Sequence, residues 1–543
     1  MIYAIHIYSK TTDSNKAEPC MKTILYPLCV CALILPSFSF AKNKKYELSQ
    51  KSQPTTIQSI YRTIDPNSLI QNLAFYELYP DTDEGKKALA IGWELLFGEK
   101  HTGEQLIELP TLDVYTIISL VNKPSADTDL LVNEQQLTLL RRAAQRLKNR
   151  ELTGFDVWSK EEVLKLPPEE IDLARALLIY QFEEDKDAIR KIYQYEATLD
   201  LMALQISAHM KKNASAEEMI AEINAFIFQD MRFRFPPHSI YAKDIDLYTF
   251  LPSVLDSRLG VCLGVSTLYL CLAQRLGLAL DIITPPGHIY LSYNTGHKII
   301  NIETTARGIN MPPETYLGIN TCSLQKKNMK EVVGLAFFNQ ASVLSGRQDF
   351  PAAIKLYQIA LQYVPDDPLF EMLLGLHYLF NGQKVEGKAL LKEMSGKTFE
   401  GAIAKETIPE DFLTGRIDPK GIEMIFAPVD ETRDSIIDKQ NILKNHLKRF
   451  PKFRAGLFQL ATTYLQLGRT QEAYDVLIDY HNIDPTHPTV EYYLAILCMQ
   501  RYDYTQAWVF YHRLETILVA RNHTPKALKN LKISLQRICP TAL

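Results

Sequence analysis

The chain has 543 residues, 46% of them hydrophobic and 22% charged, with a formal net charge of −4. That length is more than one hydrophobic core serves and predicts about three domains. The composition is that of a folded globular protein, and the slight acidic excess excludes the strongly basic footprint that binding to a nucleic-acid backbone requires.

Near the N-terminus, "MKTILYPLCVCALILPSFSFAK" begins at Met21 with a lysine and continues as an uncharged apolar run. Ser39 and Ala41 stand at the −3 and −1 positions of a cut before Lys42. This is the pattern of a secretory signal peptide. Residues 1–41 are therefore expected to be a signal region with its start at Met21, and the protein to be exported, periplasmic or secreted. The alternative is a membrane anchor made by an uncleaved signal. The apolar run is shorter than the roughly 20 residues a spanning helix needs, and proline interrupts it. No stable membrane span is expected after signal cleavage. Cleavage removes Cys20, Cys29 and Cys31 from the eight cysteines and leaves Cys262, Cys271, Cys322, Cys498 and Cys539. Their odd number and scattered spacing do not form a disulfide framework.

Residues 42–160 read as a helical N-terminal region broken by "YPDTDEG" and "NKPSADTD", with no cluster of chemistry-bearing side chains. The segment "KLPPEEIDLARALLIY" predicts a helix start at Pro167 and Pro168. Ser215 with Glu218 three residues on predicts a second start closed by a capping box. The stripe Met219, Ile220, Ile223, Phe226 and Ile227 that follows has helical spacing and is read as core.

The segment "SRLGVCLGVSTLYLCLAQRLGL" sets Cys262 directly behind a glycine turn and Cys271 inside a periodic run. Val265, Leu268, Tyr269, Leu272 and Leu276 recur at helical spacing, and Gly277 is the expected stop. Cys262 is thus expected at the first turn of a buried helix, where unpaired amides and the positive dipole end favour a thiolate and could hold an oxyanion. Gly260, Leu263 and Gly264 are the expected substrate or oxyanion neighbours, the glycines leaving room for a substrate carbonyl. Cys271 has no such environment and is read as core.

A thiol nucleophile needs a base, and the base an orienting group. In "TPPGHIYLSYNTGHKIINIETTARG", two apolar runs flank the turn-like "NTGH" and predict a β-hairpin. A two-residue loop at Thr295–Gly296 or a four-residue loop at 294–297 sets His288 opposite Glu303. That register gathers Ile289, Leu291, Ile300 and Ile302 on one face and His288, Tyr290, Ser292, Asn301 and Glu303 with Ile299 on the other, whereas a one-residue slip mixes the sets. Opposite residues stand about 5 Å apart at Cβ, within reach of a His–carboxylate hydrogen bond. Asn301 is an alternative orienter on the same face. His297 reads as a solvated turn residue and His238 as a loop residue. A zinc site from Cys262, Cys271, His288 and His297 matches no usual ligand spacing. No EF-hand loop, phosphate loop or dinucleotide fingerprint appears, and no metal or cofactor is expected.

The order of cysteine at a helix start, histidine opening a strand and acid ending the next strand resembles the transglutaminase-like, papain-related superfamily. "VLDSRLGVCLGVSTLYLCLAQRLGL", "PPGHIYLSY" and "NIETTARG" are most similar to its SirB1-type branch, over roughly residues 165–320. The resemblance implies Cys262 as nucleophile, His288 as base and Glu303 as the acidic third member. It departs from the family where transglutaminases commonly carry Asp, and it keeps a cysteine that many SirB1-type proteins lack.

After residue 330 a period of about 34 residues sets in. "AFFNQASVLSGRQDFPAAIKLYQIALQYVPDD" carries Ala341, Leu344, Ala353, Tyr357, Ala360 and Pro365, and "AGLFQLATTYLQLGRTQEAYDVLIDYHNIDP" repeats the unit with Ala461, Tyr464, Gly468, Ala473, Leu477 and Pro485. Weaker copies follow each, marked by Gly375 and Tyr378, and by Ala495, Ala507 and Tyr511. These units resemble tetratricopeptide repeats, whose small residues let paired helices approach; such an array either presents a concave face for peptides or serves as a purely structural stack. "EGAIAKETIPEDFLTGRIDPKG" breaks the period.

The expected fold is α+β: a papain/transglutaminase-like core at 161–325 after the N-terminal helical region, then an all-α tetratricopeptide solenoid at 330–535, two pairs with an insertion near 395–440. The expected function is an exported cysteine-dependent amide hydrolase or acyltransferase with a Cys262–His288–Glu303 triad. Its substrate would be a peptide or protein, and the repeats would bind a protein partner. The alternative is a non-catalytic interaction scaffold on a degenerate transglutaminase-like domain.

Overall fold

The computed structural model describes residues 54–98, 134–183, 185–211, 213–236, 248–427, 429 and 432–540. The signal region, Met21 and His238 lie outside the described residues. The chain divides into two compact units, residues 3–64 and residues 65–543 with 1–2. Within the described part of the smaller unit lies the helix Pro54–Tyr61. None of the described helices is long and apolar enough to cross a membrane.

In the larger unit, the N-terminal region is helical over Leu69–Leu78, Asp83–Phe97 and Glu134–Ala143. Ser68 and Thr82 cap the first two by accepting the amides of Gln71 and Gly85. Leu73, Trp93, Leu96 and Leu140 from these helices are buried in the same core as the residues after 161. The prolines at 167 and 168 open a 3₁₀ turn, Pro168–Glu170, rather than the helix expected there. The helix Leu173–Phe182 begins five residues after Pro168, because the Asp172 carboxylate accepts the Arg175 amide. The Ser215–Glu218 capping box opens Ala216–Asn224, which runs on into a π-helical turn, Ala225–Asp230.

At the centre of this core stands the helix Cys262–Leu276, packed against Leu173–Phe182, Ala188–His209 and Leu251–Ser257. Gly277 ends it in the left-handed region at φ 75°, where a side chain would also strike Lys148. Its C-terminal end carries a sealed ionic cluster. Arg275 Nε donates to Asp200 Oδ1 at 2.8 Å, and Arg150 pairs with the other Asp200 oxygen. Arg175 grips both Glu196 oxygens at 2.6 and 2.9 Å, and Asp172 accepts Asn149 Nδ2 at 2.8 Å. Arg150, Arg175 and Arg275 thus face Asp172, Glu196 and Asp200, so the buried charges balance.

Four antiparallel strands form one sheet in the order β3-β2-β1-β4: β1 Asp281–Thr284, β2 Tyr290–Asn294, β3 Ile299–Ile302 and β4 Gln325–Lys327. The β2–β3 hairpin differs from the expected register by two residues, pairing Leu291 with Ile302 and Asn294 with Ile299. The cause is the loop. Thr295 binds the Lys298 carbonyl through its amide, and its hydroxyl takes the amides of His297 and Lys298, making a four-residue turn at 295–298. A shift of two keeps parity, so the expected face assignments hold.

From Met329 onward the helices pair: Met329–Gly346 with Phe350–Tyr363, Pro368–Phe380 with Lys384–Met394, Arg454–Gln466 with Thr470–Ile483, and Pro488–Gln500 with Tyr504–Val519. Ala341, Ala353, Tyr357, Ala360, Ala461, Ala473 and Leu477 are buried between them. Gly375 and Gly387 let two helices touch, since a Cβ on Gly387 would lie 2.7 Å from the Gly375 carbonyl. The break in the period folds as two short helices, Ile408–Leu413 and Pro419–Ile425, followed by the longer Arg433–Arg449; Lys526–Ile538 ends the array.

The solenoid is not hung on a linker. Val332, Val333 and Phe337 of its first helix are buried in the core that holds the Cys262 helix, while Ala341 of the same helix lies in the solenoid core. Side chains of that size gain about 1.5–3 kcal/mol each on full burial. Tyr180 and Tyr363 share a hydrogen bond of 2.5 Å across the junction, and Lys330 Nζ donates to the carbonyls of Leu164 and Leu166.

Candidate active site

Cys262 is the first residue of its helix, behind Val261 in extended conformation. Among the described residues no side chain caps this start. Backbone bonds fix the approach: Gly260 N to the Arg234 carbonyl at 3.1 Å and Val261 N to the Tyr248 carbonyl at 3.0 Å. The amides of Cys262, Leu263 and Gly264 therefore open the helix with no intrahelical acceptor, the geometry that suits an anion. Leu263 is buried beside them. The room expected next to the two glycines is not vacant. A Cβ on Gly264 would lie 2.3 Å from the Tyr248 carbonyl oxygen, and one on Gly260 2.6 Å from Val265 Cγ2. These glycines let the helix start pack against the preceding chain.

His288 leaves a tight turn just before β2. Its amide bonds the Pro285 carbonyl at 3.0 Å, with Pro286 and Gly287 central and Gly287 at φ 71°, the pattern of a type II turn. Continuing the hairpin register sets Glu303 across from Tyr290, so His288 and Glu303 are diagonal rather than opposite. They nonetheless meet: His288 Nε2 lies 2.8 Å from Glu303 Oε2. Diagonal neighbours on adjacent strands are about 7–8 Å apart, a span the long glutamate side chain bridges. With Nε2 so engaged, Nδ1 is the ring nitrogen left to serve Cys262, whose thiol lies close enough to favour the charged imidazole.

The carboxylate of Glu303 is saturated. Oε1 accepts the Thr305 amide at 3.1 Å and the Thr305 hydroxyl at 2.6 Å, while Oε2 takes His288 and the Tyr316 hydroxyl. One residue on, the Thr304 hydroxyl bonds Ser266 at 2.9 Å, tying this turn to the Cys262 helix one turn beyond the cysteine.

Burial disfavours a charged His288, but the bonds to Cys262 and Glu303 outweigh it and raise its pKa to about 10. Burial likewise pushes Glu303 up, yet His288, Thr305 and Tyr316 together hold it below the ordinary carboxylate value. The imidazole thus carries its proton readily, between a sulfur and a fixed carboxylate. Such an arrangement can activate a thiol and return a proton to a leaving group.

Cys262, His288 and Glu303 are brought together, and Leu263 and Gly264 flank the sulfur along the helix start. Asn301 is not: its amide nitrogen donates to the Met311 carbonyl at 2.6 Å. His297 is exposed in the hairpin turn. Cys271 is fully buried and burial pushes its thiol up; Cys498 is likewise pushed up, to about 11. All five described cysteines are free thiols. Tyr316 and Thr305 escaped sequence reasoning. Thr305 stood two residues from Glu303, where a hydroxyl commonly closes a local turn. Tyr316 sits in an irregular stretch with no periodicity to mark it.

Residues 193–323 match the family model of the transglutaminase-like superfamily, and the chain thus carries a transglutaminase-like domain there. No curated protein sequence matches the chain. Among solved structures, a thermophilic TPR protein of Thermus thermophilus is similar at 16% identity, covering 38% of this chain and all of its own, with a TM-score of 0.19. The Cut9–Hcn1 hetero-tetramer of the APC/C is similar at 14% identity, 89% of this chain, 94% of its own and a TM-score of 0.20. Yeast Tom70 is similar at 11% identity, 89%, 86% and 0.21. At those scores the superpositions carry no argument; the repeat fold rests on the sequence period and the helix pairs above.

Proposed function

We propose that this chain is an exported cysteine-dependent amide hydrolase or acyltransferase, of the transglutaminase-like protease or amidase type and nearest the SirB1-type branch. The observation that carries the reading is the His288–Glu303 hydrogen bond of 2.8 Å, set beside Cys262 at an uncapped helix start.

Cys262 gives its proton to His288 and attacks the amide carbonyl; the amides of Leu263 and Gly264 take the oxyanion. As the tetrahedral intermediate collapses, the C–N bond breaks, a thioester remains, and His288 returns the proton to the departing amine. Glu303 holds the ring by Nε2 so that Nδ1 faces sulfur throughout. Water or an amine then attacks the thioester, gives a proton to His288 and releases the thiol, which completes hydrolysis or acyl transfer. The substrate is a peptide or protein amide, and the repeats bind a protein partner or the substrate itself.

The test is the rate at which iodoacetamide labels Cys262 in the full chain, followed by peptide mapping beside the half-buried Cys322. Fast labelling of Cys262 that is lost in His288→Ala supports catalysis, and a screen of peptide and cell-wall amides then names the substrate. Labelling no faster than that of Cys322 leaves the interaction scaffold. Mass spectrometry of the mature N-terminus tests export: a start at Lys42 supports it, and an intact leader overturns cleavage.

A further inference from the structure

Tyr316 touches both groups behind Cys262 while belonging to neither strand. Its hydroxyl donates to Glu303 Oε2, the oxygen that also takes His288 Nε2. Its ring stacks on the His288 imidazole, with centroids 5.6 Å apart and planes 22° from parallel, and on Tyr290 at 4.8 Å and 15°. The imidazole is thereby held by its edge through Glu303 and by its plane through Tyr316. Tyr316 is itself buried.

The strap that follows Tyr316 is fastened to the helical array at two places. The Gly318 carbonyl takes His523 Nε2 at 2.7 Å, from the turn before the last helix. Ile319 is buried in the solenoid core. Asn320 Oδ1 then accepts the Ala404 amide at 2.7 Å, and the Gly401 carbonyl accepts the Cys322 amide at 2.8 Å. The inserted segment that supplies these partners is locked in turn, because Asp411 accepts the amide and Nε of Arg454, both at 3.0 Å.

We propose that Tyr316 is a positioning residue for the His288–Glu303 pair, kept in register by the strap 317–323 that the repeat array fastens. The proposal rests on the catalytic reading of Cys262. It makes the array part of the site's construction and not only a docking surface. A tyrosine serving merely as core filler would affect stability without changing how the site titrates.

The experiment is the pH dependence of Cys262 alkylation by iodoacetamide in the full chain. The charged or titratable groups around the pair are Cys262 and Glu303 on His288, with Tyr290 and Tyr316 beside Glu303 and Glu314 beyond Tyr290. Tyr316→Phe keeps the stack and removes the donor. A carboxylate that loses a donor protonates at higher pH, so the acid limb is expected to move up by about one pH unit. Tyr316→Leu also removes the stack, and the plateau rate is expected to fall about tenfold. His523→Ala is expected to move the acid limb in the same direction by less, and His523→Gln, which keeps a donor, to restore it. An unmoved acid limb in Tyr316→Phe, with Cys262 still outpacing Cys322, overturns the positioning role alone. Identical acid limbs in wild type and His523→Ala overturn the anchoring by the array. Wild-type Cys262 labelled no faster than Cys322 overturns the catalytic reading beneath both.

Discussion

The two ends of the Cys262–Leu276 helix use the same chemical vocabulary for opposite purposes. At the C-terminal end, Arg275 joins a cluster in which three guanidinium groups pair with Asp200 and Glu196, with Asp172 close by on Asn149, all but sealed from solvent. At the N-terminal end, a histidine whose side chain is 23% exposed links a half-buried thiol to a carboxylate that is 4% exposed. The closed end leaves no opening for a reactant, so its charges can only hold elements together. The open end keeps a partly exposed sulfur at a helix start that no side chain caps. Burial decides whether a polar cluster is architecture or chemistry; residue type does not.

The largest effect should come from opening the closed end. Asp200→Ala strands Arg275 and Arg150 without their partner, and removing one member of a buried ion pair costs about 3–5 kcal/mol. Urea unfolding should register that loss, whereas Cys262 labelling per folded molecule should change little. A loss under about 1 kcal/mol would erase the contrast between the ends. Next comes the open end: His288→Ala should slow Cys262 labelling about a hundredfold, the lower range for loss of a positioned base, with a much smaller change in stability. Glu303→Gln should slow it about tenfold, since an amide still orients the ring but supplies no counter-charge.

The pH dependence sharpens the same contrast. The folded pKa of His288 is raised to about 10 from an unfolded value near 6.5. Its stabilising contribution is therefore complete below about pH 6.5 and lost as pH rises through about 10. Glu303 is depressed, so its share is present above the ordinary carboxylate pKa and lost as pH falls through the lower, folded value. The stability difference between wild type and His288→Ala should be widest between those limits and shrink towards about pH 10; a difference that is flat from about pH 6 to 10 would contradict the pairing. The smallest effect is Cys271→Ala, a small trimming inside the core, expected to cost about 1 kcal/mol and to leave labelling of Cys262 unchanged.

Much of this was legible beforehand because it depends on local periodicity. Small residues at fixed offsets marked the helix pairs, Gly277 marked the end of the Cys262 helix, and hydrophobic alternation set His288 and Glu303 on one face of the hairpin. The hairpin register came out two residues off because the hydroxyl of Thr295 centres the turn on 295–298, one residue beyond "NTGH". The shift did not separate the pair only because strand faces repeat every second residue. What stayed hidden depends on contacts distant in sequence. Nothing near "ETYLG" shows that Tyr316 reaches back to Glu303, and nothing in Gly260 or Gly264 distinguishes space for a ligand from space taken by Val265 and Tyr248. The ionic cluster was equally invisible, since Asn149, Asp172, Glu196, Asp200 and Arg275 share no motif.

The helix Met329–Gly346 spends its first half in one core and its second half in the other. A gene fragment stopped at residue 323, where the family match ends, would therefore encode an unfinished interior rather than a smaller stand-alone domain, with the sockets of Val332, Val333 and Phe337 laid open to water.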